Sequence, residues 1–133
     1  MTARLPHEIR KVLDNGLPAL MVSCSADGTP NVTVISQVYY VDETHVALSF
    51  QFFNKTIKNV RENPRAWAGV MDFLGQADWL LDLEFERSET EGPIFDAMDM
   101  QIEAIASATG MSGIFKLRAA DIYHVLSVVK RPF

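Results

Sequence analysis

The chain has 133 residues, of which 48% are hydrophobic and 22% charged, enough to bury one core and too few for a second, so a single domain spanning 1–133 is expected. No apolar run approaches the roughly 20 residues of a membrane-spanning helix, and Met1–Glu8 has no apolar signal core, so neither a membrane nor secretion is expected. A net charge of −5 argues against a nucleic-acid partner, and the single Cys24 excludes an internal disulfide framework and suits a reducing compartment, the cytoplasm.

Charge is uneven along the chain. Lys55, Lys58, Arg61 and Arg65 fall within eleven positions, whereas residues 72–103 are strongly acidic. The basic cluster is either a solvated helix face or part of an anion site, and its neighbours must decide between them.

In chain order, Pro6 suits a first helical turn. Ile9, Val12 and Leu13 share one face, and Asn15-Gly16 supplies a left-handed stop. Residues 17–24 are apolar on both faces and end in the turn chemistry of Ala26-Asp27-Gly28-Thr29-Pro30. Residues 31–41, rich in β-branched and aromatic types, are expected as a single second strand with Val32, Val34, Val38 and Tyr40 on one side. After the polar turn 42–44, residues 45–50 alternate with Val46, Leu48 and Phe50 inward, completing a three-stranded meander.

A short helix follows, with Asn54 as its cap, Ile57 and Val60 at helical spacing, and Asn63-Pro64 as its stop. Residues 65–73 return to strand composition. Residues 78–88 alternate over a long run, Trp79, Leu81, Leu83, Phe85 and Arg87 opposing a largely acidic set that is expected in solvent. Pro93 opens a helix striped by Ile94, Met98, Ile102 and Ile105, and Gly110 closes it. Strands at 113–118 and 121–130 complete a mainly β chain with short helices. Six or seven antiparallel strands point to a small barrel, and apolar residues on both strand faces point to a homodimer.

The chemistry is narrowed by elimination. Cys24 lies in an apolar strand and is read as a core thiol without a histidine base, while His7, His45 and His124 show no metal-ligand spacing, so no metal is expected. No glycine-rich phosphate loop is present. The junction 49–56, Ser-Phe-Gln-Phe-Phe-Asn-Lys-Thr, remains. There a strand hands over to a basic helix whose free N–H groups, Lys55, Asn54 and Thr56 make a cradle for a phosphate dianion.

The run from Leu17 to Asp72 resembles the FMN-binding split-barrel family related to pyridoxamine 5′-phosphate oxidase. The resemblance rests on Asp27-Gly28-Thr29-Pro30, the strand Asn31-Val32-Thr33-Val34-Ile35-Ser36, and Asn54-Lys55-Thr56 ahead of Val60-Arg61-Glu62-Asn63-Pro64-Arg65. It implies a homodimer of split barrels with FMN at the subunit interface. Lys55 and Thr56 would hold the phosphate with Asn54 beside them. Thr33, Val34, Ile35 and Ser36 would run along the isoalloxazine edge, and Ser49, Phe50 and Gln51 would line the ribityl and ring side.

Two departures matter. Thr33 and Lys55 stand where the oxidases of this family carry phosphate-binding arginines, and the family's C-terminal substrate Arg–His pair has no match in 122–125 or 130–133. Pyridoxamine phosphate oxidation itself is therefore not expected. The resemblance implies a flavin-dependent oxidoreductase acting on a small molecule, with no catalytic side chain identified. The alternative is a non-catalytic binding or sensory module for a deazaflavin, haem or flavin.

Overall fold

The computed structural model describes residues 3–14, 18–35, 37–50, 54–108, 110 and 117–133, and the side chains of residues 50 and 54–57 lie outside that description. The elements are α1 (His7–Asp14), β1 (Ala19–Cys24), β2 (Pro30–Ile35), β3 (Val38–Asp42), β4 (His45–Phe50), α2 (Asn54–Glu62), β5 (Arg65–Asp72), β6 (Ala77–Glu89), α3 (Pro93–Ala108) and β7 (Ala119–Pro132). The seven strands form one sheet in the order β2-β1-β5-β6-β7-β4-β3, and each described pairing is antiparallel.

The two edge strands of this sheet are consecutive in sequence. Only residues 36 and 37 separate β2 from β3, so the sheet must curl until its edges meet, although no ladder joins these two strands among the described residues. The result is a barrel split at the β2–β3 junction. This corrects the single strand expected over 31–41. The chain leaves one sheet edge at Ile35 and rejoins the opposite edge at Val38, so Val32 and Val34 are exposed while Val38 is buried.

Pairing in β1–β2 places Ala19, Met21 and Ile35 on the barrel interior with Ala68, Val70, Trp79, Leu81 and Leu83. The alternation expected for β6 holds through Leu83, then breaks at a bulge between Phe85 and Arg87 that leaves Arg87 exposed. Gly28 takes φ +87° in the β1–β2 turn, which Asp27 fastens by accepting a 3.0 Å hydrogen bond from the Thr29 N–H.

Helix α1 buries Ile9, Val12 and Leu13 against this core, and α2 adds Val60 to it while its Asn59 donates 3.2 Å to Ser23 Oγ. On the other face of β4 and β7, α3 packs Met98 and Ile102 against Ala47, Ala120 and Ile122. Gly110, with φ +74°, follows its end. The expected strand at 113–118 falls mostly outside the described residues, and 117–118 are not strand. The stop at Asn15-Gly16 also lies outside them. Cys24 ends β1 half-buried, a correction to its reading as a core thiol.

Candidate functional site

The split in the barrel brings the end of β2 next to the end of β4. Ile35 and Val38 share the interior cluster with Leu48, which pairs with Val38 and is followed by Ser49. Of the residues expected along a cofactor ring, Thr33 is half-buried and pairs with Met21. Val34 points to the outer face at 57% exposure, and Ile35 is buried in the core. Ser49 is 4% exposed. Phe50 ends β4, and Ser36 and Gln51 lie outside the described residues.

Asn54, Lys55 and Thr56 form the first turn of α2, whose leading N–H groups have no intrahelical acceptor. No acidic residue occupies that turn, so the positive end of the helix dipole is not offset locally. The strand-to-helix handover read from the sequence is thus in place at the level of the backbone.

Two polar side chains at this junction are buried without partners. Among the described residues, Ser49 Oγ has no hydrogen-bond partner, and Gln37, 1% exposed, has none at either Nε2 or Oε1. Leaving a buried donor or acceptor unpaired costs about 1–3 kcal/mol, so such groups need an explanation. The other buried unpartnered atoms, Arg65 Nε and Trp79 Nε1, belong to side chains anchored elsewhere: Arg65 Nη2 reaches both carboxylate oxygens of Asp82 at 2.7 Å, and Lys130 lies over the Trp79 ring. Gln37 is a residue the sequence reading missed. Its only signal was a carboxamide in the middle of a β-branched and aromatic run.

The outer face of the sheet carries a second feature. Successive register pairs put Val34, Leu20, Gly69, Leu80 and Val129 in one row across β2, β1, β5, β6 and β7. Four of these are large and exposed, Leu20 at 52%, and Gly69 leaves the floor between them without a side chain. A groove of about 260 Å³ runs past Leu20, Val34, Gly69 and Leu80, and a second of about 230 Å³ continues to Val22 and Trp67. Asp78 and Arg131 form a bidentate pair, at 3.0 and 2.7 Å, beside the first groove.

Two titratable groups were not legible in the sequence as a site. Asp121, buried on β7, accepts a hydrogen bond from Ser88; burial pushes its pKa up to about 6, and the Ser88 bond and Arg61 only partly oppose that shift. His45 on β4 stacks on His124 at 5.1 Å and contacts Asp42 through Nδ1 and Glu86 through Nε2. Burial disfavours its charge, but the hydrogen bonds to Asp42 and Glu86 outweigh this and hold it above the ordinary histidine value.

The family model described as "Pyridoxamine 5'-phosphate oxidase" matches residues 5–125. An uncharacterized protein of Methanocaldococcus jannaschii is 34% identical over 64 residues, 47% of this chain and 42% of that protein, so the matched stretch spans less than half of the relative's length. Among solved structures, an FMN-binding protein from Syntrophomonas wolfei superposes with a TM-score of 0.73 at 15% identity, covering 91% of this chain and 82% of that one. An F420 reductase gives 0.67 at 13% identity, with 94% and 98% covered. HutZ, a haem storage protein of Vibrio cholerae, gives 0.64 at 15%, with 98% and 96% covered. At such identities these likenesses show the fold alone. With nine-tenths of its length matched by the family model, the chain belongs to the pyridoxamine 5′-phosphate oxidase family.

Proposed function

We propose that the protein is a flavoprotein, a single domain over 1–133 that binds FMN and carries out hydride or electron transfer with a small-molecule substrate. The observation that carries this reading is the unpartnered, buried hydroxyl of Ser49 at the end of β4, a short link ahead of an α2 N-terminus free of acidic residues. A polar atom awaiting a partner and an anion-attracting helix start then occur together, as a phosphorylated cofactor requires.

In this reading Lys55, Thr56 and the leading N–H groups of α2 hold the phosphate, with Asn54 beside them. The segments Thr33–Ser36 and Ser49–Gln51 flank the ring. Bound FMN supplies the hydride or electron acceptor, and the chain's part is to bind it, orient it and exclude water. The outer row Val34–Leu20–Gly69–Leu80–Val129 supports a homodimer, since an apolar face of this kind is covered in most soluble proteins. The lone half-buried thiol suits the cytoplasm.

A second reading is a non-catalytic module for a deazaflavin or haem. It is favoured by Thr33 and Lys55 in place of the arginines implied by the family resemblance, and by the F420 reductase and haem storage protein among the structural neighbours. The absorbance of the purified protein, followed by titration with FMN under flavin fluorescence, separates the two. Quenching that saturates near one FMN per chain supports the flavoprotein. A Soret band, or indifference to FMN, overturns it.

A further inference from the structure

Gln37 occupies the two-residue link between β2 and β3, at the split of the barrel. Val38 pairs with Leu48 and Tyr39 with Ala47, so one step further along the hairpin Gln37 and Ser49 occupy neighbouring register positions at the same end. Both are buried, and among the described residues neither the Gln37 amide nor the Ser49 hydroxyl has a hydrogen-bond partner. A carboxamide with both its donor and its acceptor unpaired bears the full desolvation cost at each end, and polar residues are seldom kept in such a state without something to pair them.

We propose that Gln37 recognises the cofactor ring: its carboxamide pairs with an imide edge, accepting from the ring N–H through Oε1 and donating through Nε2 to the adjacent ring carbonyl. The inference rests on the flavin reading above and deepens it by naming the group that selects the ring. A carboxamide and an imide are complementary in both directions, so one residue makes a two-point contact that a single donor or acceptor cannot. The Ser49 hydroxyl beside it, able both to donate and to accept, meets a further polar ring atom. Flavins and deazaflavins carry such an imide. The porphyrin edge carries methyl, vinyl and propionate groups, of which the propionates only accept, so haem leaves Oε1 unpaired. The amide is 1% exposed without ligand, so a ring edge entering at the strand ends must displace the atoms that cover it.

The test compares wild type with Gln37→Met, of similar size and without the amide, each titrated with FMN, with FMN methylated at the imide nitrogen, and with haemin, alongside thermal melts without ligand. Wild type is expected to bind FMN roughly 10- to 100-fold more tightly than the methylated flavin. Gln37→Met is expected to lose roughly 10- to 100-fold in FMN affinity and to narrow that preference to under about threefold. It should melt no lower than wild type without ligand, because it removes an unpaired buried amide. An unchanged FMN affinity with the preference intact overturns the role of Gln37 while leaving the flavin reading standing, the amide then being paired by a buried water. Haemin binding without flavin binding overturns both. Should Gln37→Met not fold, Gln37→Glu keeps the size and an acceptor, and it must weaken FMN binding while still preferring the unmethylated ring. Failure on either count overturns the proposal.

Discussion

Ser88 on β6 donates a 2.6 Å hydrogen bond to the carboxylate of Asp121 on β7, at a point where the two residues pair directly in the ladder. The contact fixes a carboxyl group inside the barrel, 4% exposed, at the register position of Leu48 on the neighbouring β4. One hydroxyl and the charge of Arg61 do not compensate for the water lost, and the group titrates near 6.

A pH dependence follows from that value. The folded-state pKa lies above the ordinary 3.8, so the folded protein holds this proton more tightly than the unfolded chain. The associated stability is fully present below about pH 4 and is lost as pH rises to about 6, leaving a penalty of about 3 kcal/mol at neutral pH. Asp121→Asn is expected to melt at or above the wild-type temperature at pH 7 and to flatten the stability profile between pH 4 and 6. A profile with the same slope in the variant would show that Asp121 does not titrate there.

His45 adds a second slope at higher pH. Its folded pKa is raised, so the stability its charge brings is complete below the ordinary histidine value of 6.5 and is lost as pH rises through the folded one. Denaturation midpoints of wild type should therefore fall from pH 6 towards pH 8, and those of His45→Gln should fall less. Equal slopes in the two proteins would show that the Asp42–His45–Glu86 contacts do not hold a proton on His45.

The outer apolar row makes a prediction about assembly. Leu20 is half-exposed in one chain, so Leu20→Lys should change the stability of the isolated fold by under about 1 kcal/mol. Placed in an interface between two copies, the same charge is desolvated without a partner. Sedimentation or light scattering should give a dimer for wild type and a monomer for Leu20→Lys and for Leu80→Lys. A wild-type monomer, or variants that remain dimeric, would put the interface elsewhere.

Elements that bury one face on a steady period were legible in the sequence, and long-range pairing was not. Trp79, Leu81 and Leu83 alternate against Asp82 and Glu84, and that pattern assigns β6 without knowledge of its neighbours. Residues 31–41 keep a strand composition throughout, so nothing local marks the point where the chain crosses from one sheet edge to the other. Val32 and Val34, expected on one side with Val38, instead face outward on a sheet surface that is itself apolar, while Val38 is buried. The start of α2 could be read from Asn54 and its end from Pro64, since caps and prolines act locally. Gln37 and Asp121 could not, because their burial depends on which strands lie beside them and in what register.

The phosphate role proposed for the β4–α2 junction is tested by the FMN affinity of wild type against Lys55→Ala/Thr56→Ala, measured by quenching of flavin fluorescence. Loss of charge-assisted hydrogen bonds to a dianion should weaken binding by about 2–4 kcal/mol, with riboflavin, which lacks the phosphate, bound equally by both proteins. FMN affinity unchanged by the double substitution would show that the junction does not hold the phosphate.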